Sequence, residues 1–201
     1  MLFHDRLRDH EPSKRNAELR EAHWKYFEDH AEHFIARGAT FDDAGKVFKS
    51  SVIFIDFPDR KAADQFVANE PLNKAGVFQS VEIVSWSNPL GRRQRDFVRT
   101  DGQMCWYIRG YGKPGMNDRR NELFAQHQAY FKPYDAENFI VRGGALADDG
   151  TTWIGSANLI ALADRESIGD FVTNEPFYKN GLFERIVVER YNFGGRPGQV
   201  T

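Results

Sequence analysis

The chain repeats itself, and that constrains its fold more than any other feature. Asn69-Glu70-Pro71, followed by Lys74, Gly76 and Phe78, returns as Asn174-Glu175-Pro176, followed by Lys179, Gly181 and Phe183. Upstream, Asp59-Arg60 returns as Asp164-Arg165, Phe66-Val67 as Phe171-Val172 and Arg37-Gly38 as Arg142-Gly143, while Ser51 meets Ser156. All of these pairs keep one offset without a gap. Further upstream the offset slips: His23, Tyr26 and Phe27 meet His127, Tyr130 and Phe131, and Met1 meets Met104. Self-similarity over such a span marks one supersecondary unit used twice, so the fold must be built from two like halves. The boundaries read as a first module over 1–86, a linker over 87–101, a second module over 102–193 and a tail over 194–201.

Within each half, hydrophobic spacing gives the element order. Leu19, Ala22, His23, Tyr26, Phe27, Phe34 and Ile35 fall near helical spacing and predict a helix over 16–36. Leu123, His127, Tyr130 and Phe131 repeat the stripe, with Pro133 ending or kinking it. Segments 47–57 and 153–162 are rich in β-branched and aromatic residues and predict strands. Asp59 and Asp164 read as N-caps of a second helix, and last strands follow at 77–86 and 182–191. Each half opens on a strand, 2–7 and 105–109, the first of them interrupted by His4, Asp5 and Arg6. With a short strand at 39–41, each half reads βαββαβ, the split βαβ order of ferredoxin-like modules. Such a sheet carries helices on one face and leaves the other bare, so it needs a partner. The fold class expected is α+β, with two ferredoxin-like βαββαβ modules forming an intrachain pseudo-dimeric α+β barrel, the two bare sheet faces set against each other. The linker, with four arginines (Arg92, Arg93, Arg95, Arg99), reads as solvated, with room for a strand crossing between the halves. The tail Gly194-Gly195-Arg196-Pro197-Gly198 reads as flexible.

Composition excludes several classes. A net charge of −2 argues against a nucleic-acid partner. No apolar run approaches the roughly 20 residues that span a bilayer, and the charged N-terminal stretch has no apolar signal segment, so a cytoplasmic protein without membrane contact is expected. Cys105 is the single cysteine, which removes internal disulfides and multi-cysteine metal sites. His30 and His33 have a ligand-like spacing, but His23 lies nearly two turns from His30 and no matching carboxylate is evident; no metal is expected. Phosphate-binding glycine loops and nucleophile elbows are missing as well, and no cofactor is expected.

The pairs that recur carry the chemistry. His23 and His127 sit on the apolar stripes of their helices. Imidazole titrates near neutrality and suits general-base work, whereas the structural alternative is a histidine satisfied in the core or at the interface. Glu70 and Glu175 each precede proline, which extends the backbone and projects the carboxylate from a fixed corner. Near a histidine, such a carboxylate would fix the tautomer; otherwise it is a solvated acid in a helix-ending turn. Ser51 and Ser156, in mid-strand, are candidates for hydrogen-bonding a substrate.

These residues give the chain its family likeness. Arg20-Glu21-Ala22-His23, Ser50-Ser51 and Glu70-Pro71-Leu72 followed by Gly76-Val77-Phe78 in the first half, and Gln126-His127, Gly155-Ser156 and Glu175-Pro176-Phe177-Tyr178 followed by Gly181-Leu182-Phe183 in the second, resemble the motifs of the YciI-like (YCII-related) family. The resemblance implies a ferredoxin-like fold, a dimeric α+β barrel and a pocket holding a His–carboxylate pair. It extends to a dehydrochlorinase acting on a chlorinated hydroxyhydroquinone. Three departures are visible: glutamate stands where the family has aspartate, the first half lacks the glycine of Gly-Ser, and Phe124 occupies the position of the arginine in the second. On this basis His23, Glu70, His127 and Glu175 are the expected catalytic residues, and Arg20, Ser51, Ser156 and Tyr178 the expected substrate contacts. The reaction expected is a cofactor-free lyase, isomerase or hydrolase step on a small cyclic or aromatic substrate. A non-catalytic binder or accessory protein, and a structural interaction module, stay open as alternatives, as does assembly into homo-oligomers of pseudo-dimeric chains.

Overall fold

In the computed structural model, which describes residues 1–9 and 15–196, the first half runs β1 (Leu2–Asp9), α1 (Ala17–Asp29), β2 (Phe34–Phe41), β3 (Phe48–Asp56), α2 (Arg60–Asn69), the single turn α3 (Pro71–Lys74) and β4 (Phe78–Trp86). The second repeats it with β5 (Met104–Gly112), α4 (Asn117–Phe131), β6 (Phe139–Leu146), β7 (Trp153–Leu162), α5 (Arg165–Asn174), α6 (Pro176–Lys179) and β8 (Phe183–Phe193). The helix starts follow from capping chemistry. Asp59 accepts from the Ala62 N–H and Asp164 from the Ser167 N–H, satisfying donors that a helix start leaves orphaned.

Within the halves the strands pair in the ferredoxin-like orders β4-β1-β3-β2 and β8-β5-β7-β6. The bare faces do oppose one another, but the sheets also join at both edges. Strand β2 pairs with β8 and β4 with β6, so the whole closes as one barrel in the order β1-β3-β2-β8-β5-β7-β6-β4. The two seams are equivalent under the repeat: Thr40 faces Tyr191 at one and Ala145 faces Trp86 at the other. Closure removes every open strand edge. It also explains the repeated Arg-Gly. A Cβ on Gly38 would sit 2.2 Å from the Asn192 carbonyl oxygen, and one on Gly143 would lie closer still to that of Ser87. Only glycine lets the other half's chain cross there.

Strand alternation sorts side chains into two compartments. Along β3, Val52 and Phe54 turn into the barrel, and Ile53 and Ile55 turn out under the helices; Ala157 and Leu159 in β7 repeat the inward set and Ile160 the outward one. The barrel core is completed by Trp86, Cys105, Tyr107 and Tyr191. It is also charged. Buried Arg6 donates to Ser50 Oγ (3.1 Å) and Glu189 (2.6 Å), and buried Arg109 to Glu82 (2.7 Å); both ion pairs cross between the halves. His4 Nε2 lies 2.7 Å from the Tyr107 hydroxyl.

Four readings of the sequence are corrected. The first helix stops at Asp29, a 3₁₀ turn fills Ala31–His33, and Phe34 and Ile35 open β2, a strand far longer than 39–41. Phe34, Ile35 and Ala36 are all buried, and a run buried on both faces has no period-two signature to betray it. Polar residues made β1 look interrupted; His4 and Arg6 instead face the barrel interior. Residues 87–101 hold a 3₁₀ turn, Gln94–Asp96, and no crossing strand. Their arginines are not all solvated: Arg92 donates to the carbonyls of Asp135, Ala136 and Ile140, and Arg93 to those of Glu32 and Phe34. The start of the tail is tied down. The Gly194 N–H donates to the Arg37 carbonyl at 2.9 Å, and Arg196 clasps Glu21 and Glu28 of α1. The rest of that expected flexible tail, 197–201, lies outside the described residues. Among the described residues, no helix is long and apolar enough to cross a membrane.

Candidate functional site

Both recurring pairs come together. His23 Nδ1 lies 2.7 Å from Glu70 Oε1, and His127 Nδ1 lies 2.7 Å from Glu175 Oε1. Each glutamate is doubly used. It is the N-cap of the one-turn helix begun by the following proline, and its Oε2 accepts the N–H of Asn73 (2.8 Å) or Tyr178 (2.9 Å). Proline at the first helical position and the extended backbone before it fix the carboxylate at that corner. Glu70 is 1% exposed and Glu175 6%. A buried carboxylate accepts from both sides, so each ring must donate through Nδ1–H, and the neutral imidazole with its proton there has its lone pair on Nε2. Among the described residues, neither Nε2 has a hydrogen-bond partner.

The helix layer holds the rings. His23 packs on Phe27 (centroids 4.2 Å apart) and His127 on Phe131 (4.1 Å). One turn along, the Tyr26 and Tyr130 hydroxyls donate to the Phe66 and Phe171 carbonyls, each at 2.9 Å, and pin α1 to α2 and α4 to α5. Burial first, and then the charge of Glu70, pushes the Tyr26 phenol up to about 12, which keeps it a donor.

Each histidine borders a cleft between its helix and the outer face of the sheet, about 290 Å³ in the first half and about 270 Å³ in the second. These are at the small end for ligand pockets and suit a single-ring molecule. Ser51 lines the first cleft beside His23, and Ser156 the second beside His127. Arg20 reaches the first cleft. Tyr178 does not come to the second: it is 43% exposed and lines neither cleft, because the short helix α6 turns the preceding residue inward. Phe177 instead stacks on His127, with centroids 4.2 Å apart and planes 4° from parallel.

Three features escaped the sequence reading. Arg37 and Arg142 line the clefts; their recurrence was visible, but nothing in the sequence showed which way they point. The clefts are also closed by segments beyond the fourth strands. Gly194 and Gly195, from the end of the second half, wall the first cleft, and Ser87 and Pro89 wall the second. Neither cleft is complete without the other half. The backbone conformation behind the missing glycine of the first Gly-Ser is the third. Gly155 adopts φ +141°, a region that residues with a side chain rarely adopt, whereas Ser50 keeps a negative φ and its hydroxyl oxygen accepts from Arg6 Nε.

Comparison with known proteins agrees with this construction. The family model described as the YCII-related domain matches residues 1–87 and again 104–192. A comparison with curated proteins finds no match. Among solved structures, the 5-chloro-2-hydroxyhydroquinone dehydrochlorinase of Burkholderia phenoliruptrix AC1100, in complex with 2,5-dihydroxybenzoquinone, shares 32% identity over 45% of this chain and 96% of its own, with a TM-score of 0.43. A chlorite dismutase from Candidatus Nitrospira defluvii, in complex with imidazole, is 10% identical over 95% of this chain and 91% of its own, with a TM-score of 0.58. An anthrone oxidase-like protein is 10% identical over 100% of this chain and 94% of its own, with a TM-score of 0.55. The last two share the dimeric α+β barrel fold, and at such identities the fold alone. With two family matches that together span most of its length, one on each half of a closed pseudo-dimeric barrel, the chain belongs to the YCII-related family as a tandem duplication of that domain.

Proposed function

We propose that the clefts are catalytic and carry out proton transfer on a small cyclic or aromatic substrate, with His23 and His127 as general bases. The observation that supports this is the His–Glu pair itself. A buried carboxylate holds Nδ1–H, and the ring it orients lines a cleft of single-ring size. In the reaction, Nε2 takes a proton from a substrate C–H or O–H. Glu70 or Glu175 then stabilises the imidazolium without itself becoming protonated. The proton returns to another substrate atom in an isomerisation, or leaves with the departing group in an elimination; neither needs a group that the chain does not supply. Ser51 or Ser156 is the hydrogen-bond partner for a substrate oxygen.

Turnover of a panel of hydroxylated and halogenated single-ring compounds tests this, with wild type set against His23→Gln/His127→Gln. Loss of turnover by about 10²-fold or more, with substrate binding retained, is the expected result for removal of a general base. Binding without turnover of any member by wild type, or turnover unchanged in the double variant, would overturn the assignment.

A further inference from the structure

We infer that the two clefts have diverged in ligand charge: the first takes a planar ring bearing an anionic group, and the second an uncharged ring. The inference rests on reading both clefts as substrate sites, and it adds the substrate class of each.

Arg37 and Arg142 are equivalent under the repeat and hold the same pose. The Arg37 guanidinium lies over Phe27 and Phe34 at 5.6 and 5.2 Å, and that of Arg142 over Phe131 and Phe139 at 5.5 and 5.6 Å. Their charges are treated differently. Asp135 takes Arg142 through two bonds, 2.6 and 3.0 Å, which neutralises it. No carboxylate bonds Arg37 among the described residues. Glu28, whose field does reach Arg37, is held by Arg196 at 2.6 Å. One turn before His23, Arg20 adds a second guanidinium to the first cleft, again without an ion-pair partner among the described residues. The equivalent in the second half is Phe124, whose ring lies beside that of His127 with centroids 6.2 Å apart and planes inclined by 23°.

The remaining substitutions point the same way. Leu72 in the first half is replaced by Phe177, stacked on the catalytic ring, and Phe48 by Trp153. Each cleft has one further arginine laid on an aromatic ring, Arg15 on Phe48 at 4.9 Å and Arg120 on Phe124 at 4.2 Å, the latter also donating to Asn121 Oδ1 at 3.0 Å. Among the described residues, the first cleft holds Arg20 and Arg37 without a carboxylate partner, and the second holds Arg120 with added ring surface around it, so the first cleft carries the larger uncompensated positive charge. An anionic group offsets its desolvation only where it finds such charges, and an uncharged ring gains from stacking.

Salicylate and phenol differ by one carboxylate and report the two preferences. Titrated into the whole chain and followed by backbone amide NMR shifts, salicylate is expected to move Gly38 and Ser51 first, and phenol Gly143 and Ser156. Arg20→Leu, at an exposed position, is expected to weaken salicylate in the first cleft by about tenfold and to leave phenol in the second unchanged. Asp135→Asn, which releases Arg142, is expected to strengthen salicylate in the second cleft. Salicylate entering both clefts equally, salicylate preferring the second, or neither probe binding would overturn the inference. Binding is read here without turnover, so the failure of the base assignment in the histidine variants and the failure of charge selection are separate results.

Discussion

Glu70→Gln should disable the first cleft by inverting its histidine, with little damage to the fold. Glu70 accepts from two donors, His23 Nδ1–H and the Asn73 backbone N–H. Glutamine has one acceptor and one donor. The backbone N–H can only donate, so the amide oxygen must turn to it, and the amide NH₂ then faces Nδ1. The ring must accept at Nδ1 and carry its proton on Nε2, which removes the lone pair from the cleft. The energetic cost is modest: a charge-assisted hydrogen bond becomes a neutral one, about 1–1.5 kcal/mol. For a chain of this length that lowers Tm by roughly 2–5 °C. His23→Ala should be worse. It leaves a carboxylate that is 1% exposed with one donor, and breaking a buried pair from one side costs about 3–5 kcal/mol. Long-range ¹H–¹⁵N correlation of the histidine rings reads the tautomer, and thermal melts read the cost. Persistence of the Nδ1–H form in Glu70→Gln, or a His23→Ala melt no lower than that of Glu70→Gln, would refute the reasoning.

His4 makes the barrel sensitive to acid. Burial first, and then the Arg109 charge, lowers it from 6.5 to about 3, with Arg6 acting in the same sense and Glu82 against it. A depressed folded-state value gives stability that is complete above pH 6.5 and lost as pH falls towards 3, at about 1.4 kcal/mol per unit, or roughly 2 kcal/mol at pH 5. Urea denaturation across this range should show that loss in wild type, and His4→Phe should flatten it. At the β4–β6 seam, Gly143→Ala drives a Cβ into the Ser87 carbonyl and should open the barrel, whereas Gly144→Ala meets nothing nearer than 3.6 Å and should melt like wild type. Tyr26→Phe removes the 2.9 Å bond to the Phe66 carbonyl and should cost about 1 kcal/mol by chemical denaturation, with Tyr130→Phe matching it through the equivalent bond to Phe171.

Local chemistry was legible in the sequence, and distant register was not. Asp59 and Asp164 announce helix starts because a cap is a contact three residues long. The His–Glu pairs spanned far more of the chain, yet recurrence gave them away: a histidine and a carboxylate that reappear together in two halves are held by a common geometry. The repeated Arg-Gly was equally visible but not interpretable. The reason for Gly38 lies at Asn192 and that for Gly143 at Ser87, and only strand pairing between the halves brings those atoms close. β1 misled for a related reason. Inward polar residues such as His4 and Arg6 look like errors in a strand until Tyr107 and Glu189, from the other half, arrive to satisfy them. Tyr178 was misplaced by one position because a single turn of helix decides which of two adjacent aromatics faces in.

Duplication in one chain changes what the two sites can become. In a symmetric homodimer every substitution appears twice, so both clefts are bound to one ligand chemistry. Fusion lifts that constraint while keeping the architecture that needs both halves. The walls of each cleft still come from across the pseudo-dyad, Gly194 and Gly195 on one side and Ser87 and Pro89 on the other. What has been held alike between the halves is the His–Glu pair, with both distances at 2.7 Å and both carboxylates capping a one-turn helix. What has changed lies around it: Arg20 against Phe124, Leu72 against Phe177, and a guanidinium held by Asp135 at Arg142 but by no carboxylate among the described residues at Arg37. A fold kept only for its stability has no reason to hold two buried His–carboxylate pairs, since a buried pair gains little over apolar side chains of the same volume. Two clefts with the same His–Glu pair and altered lining are what selection on two different ligands would leave behind.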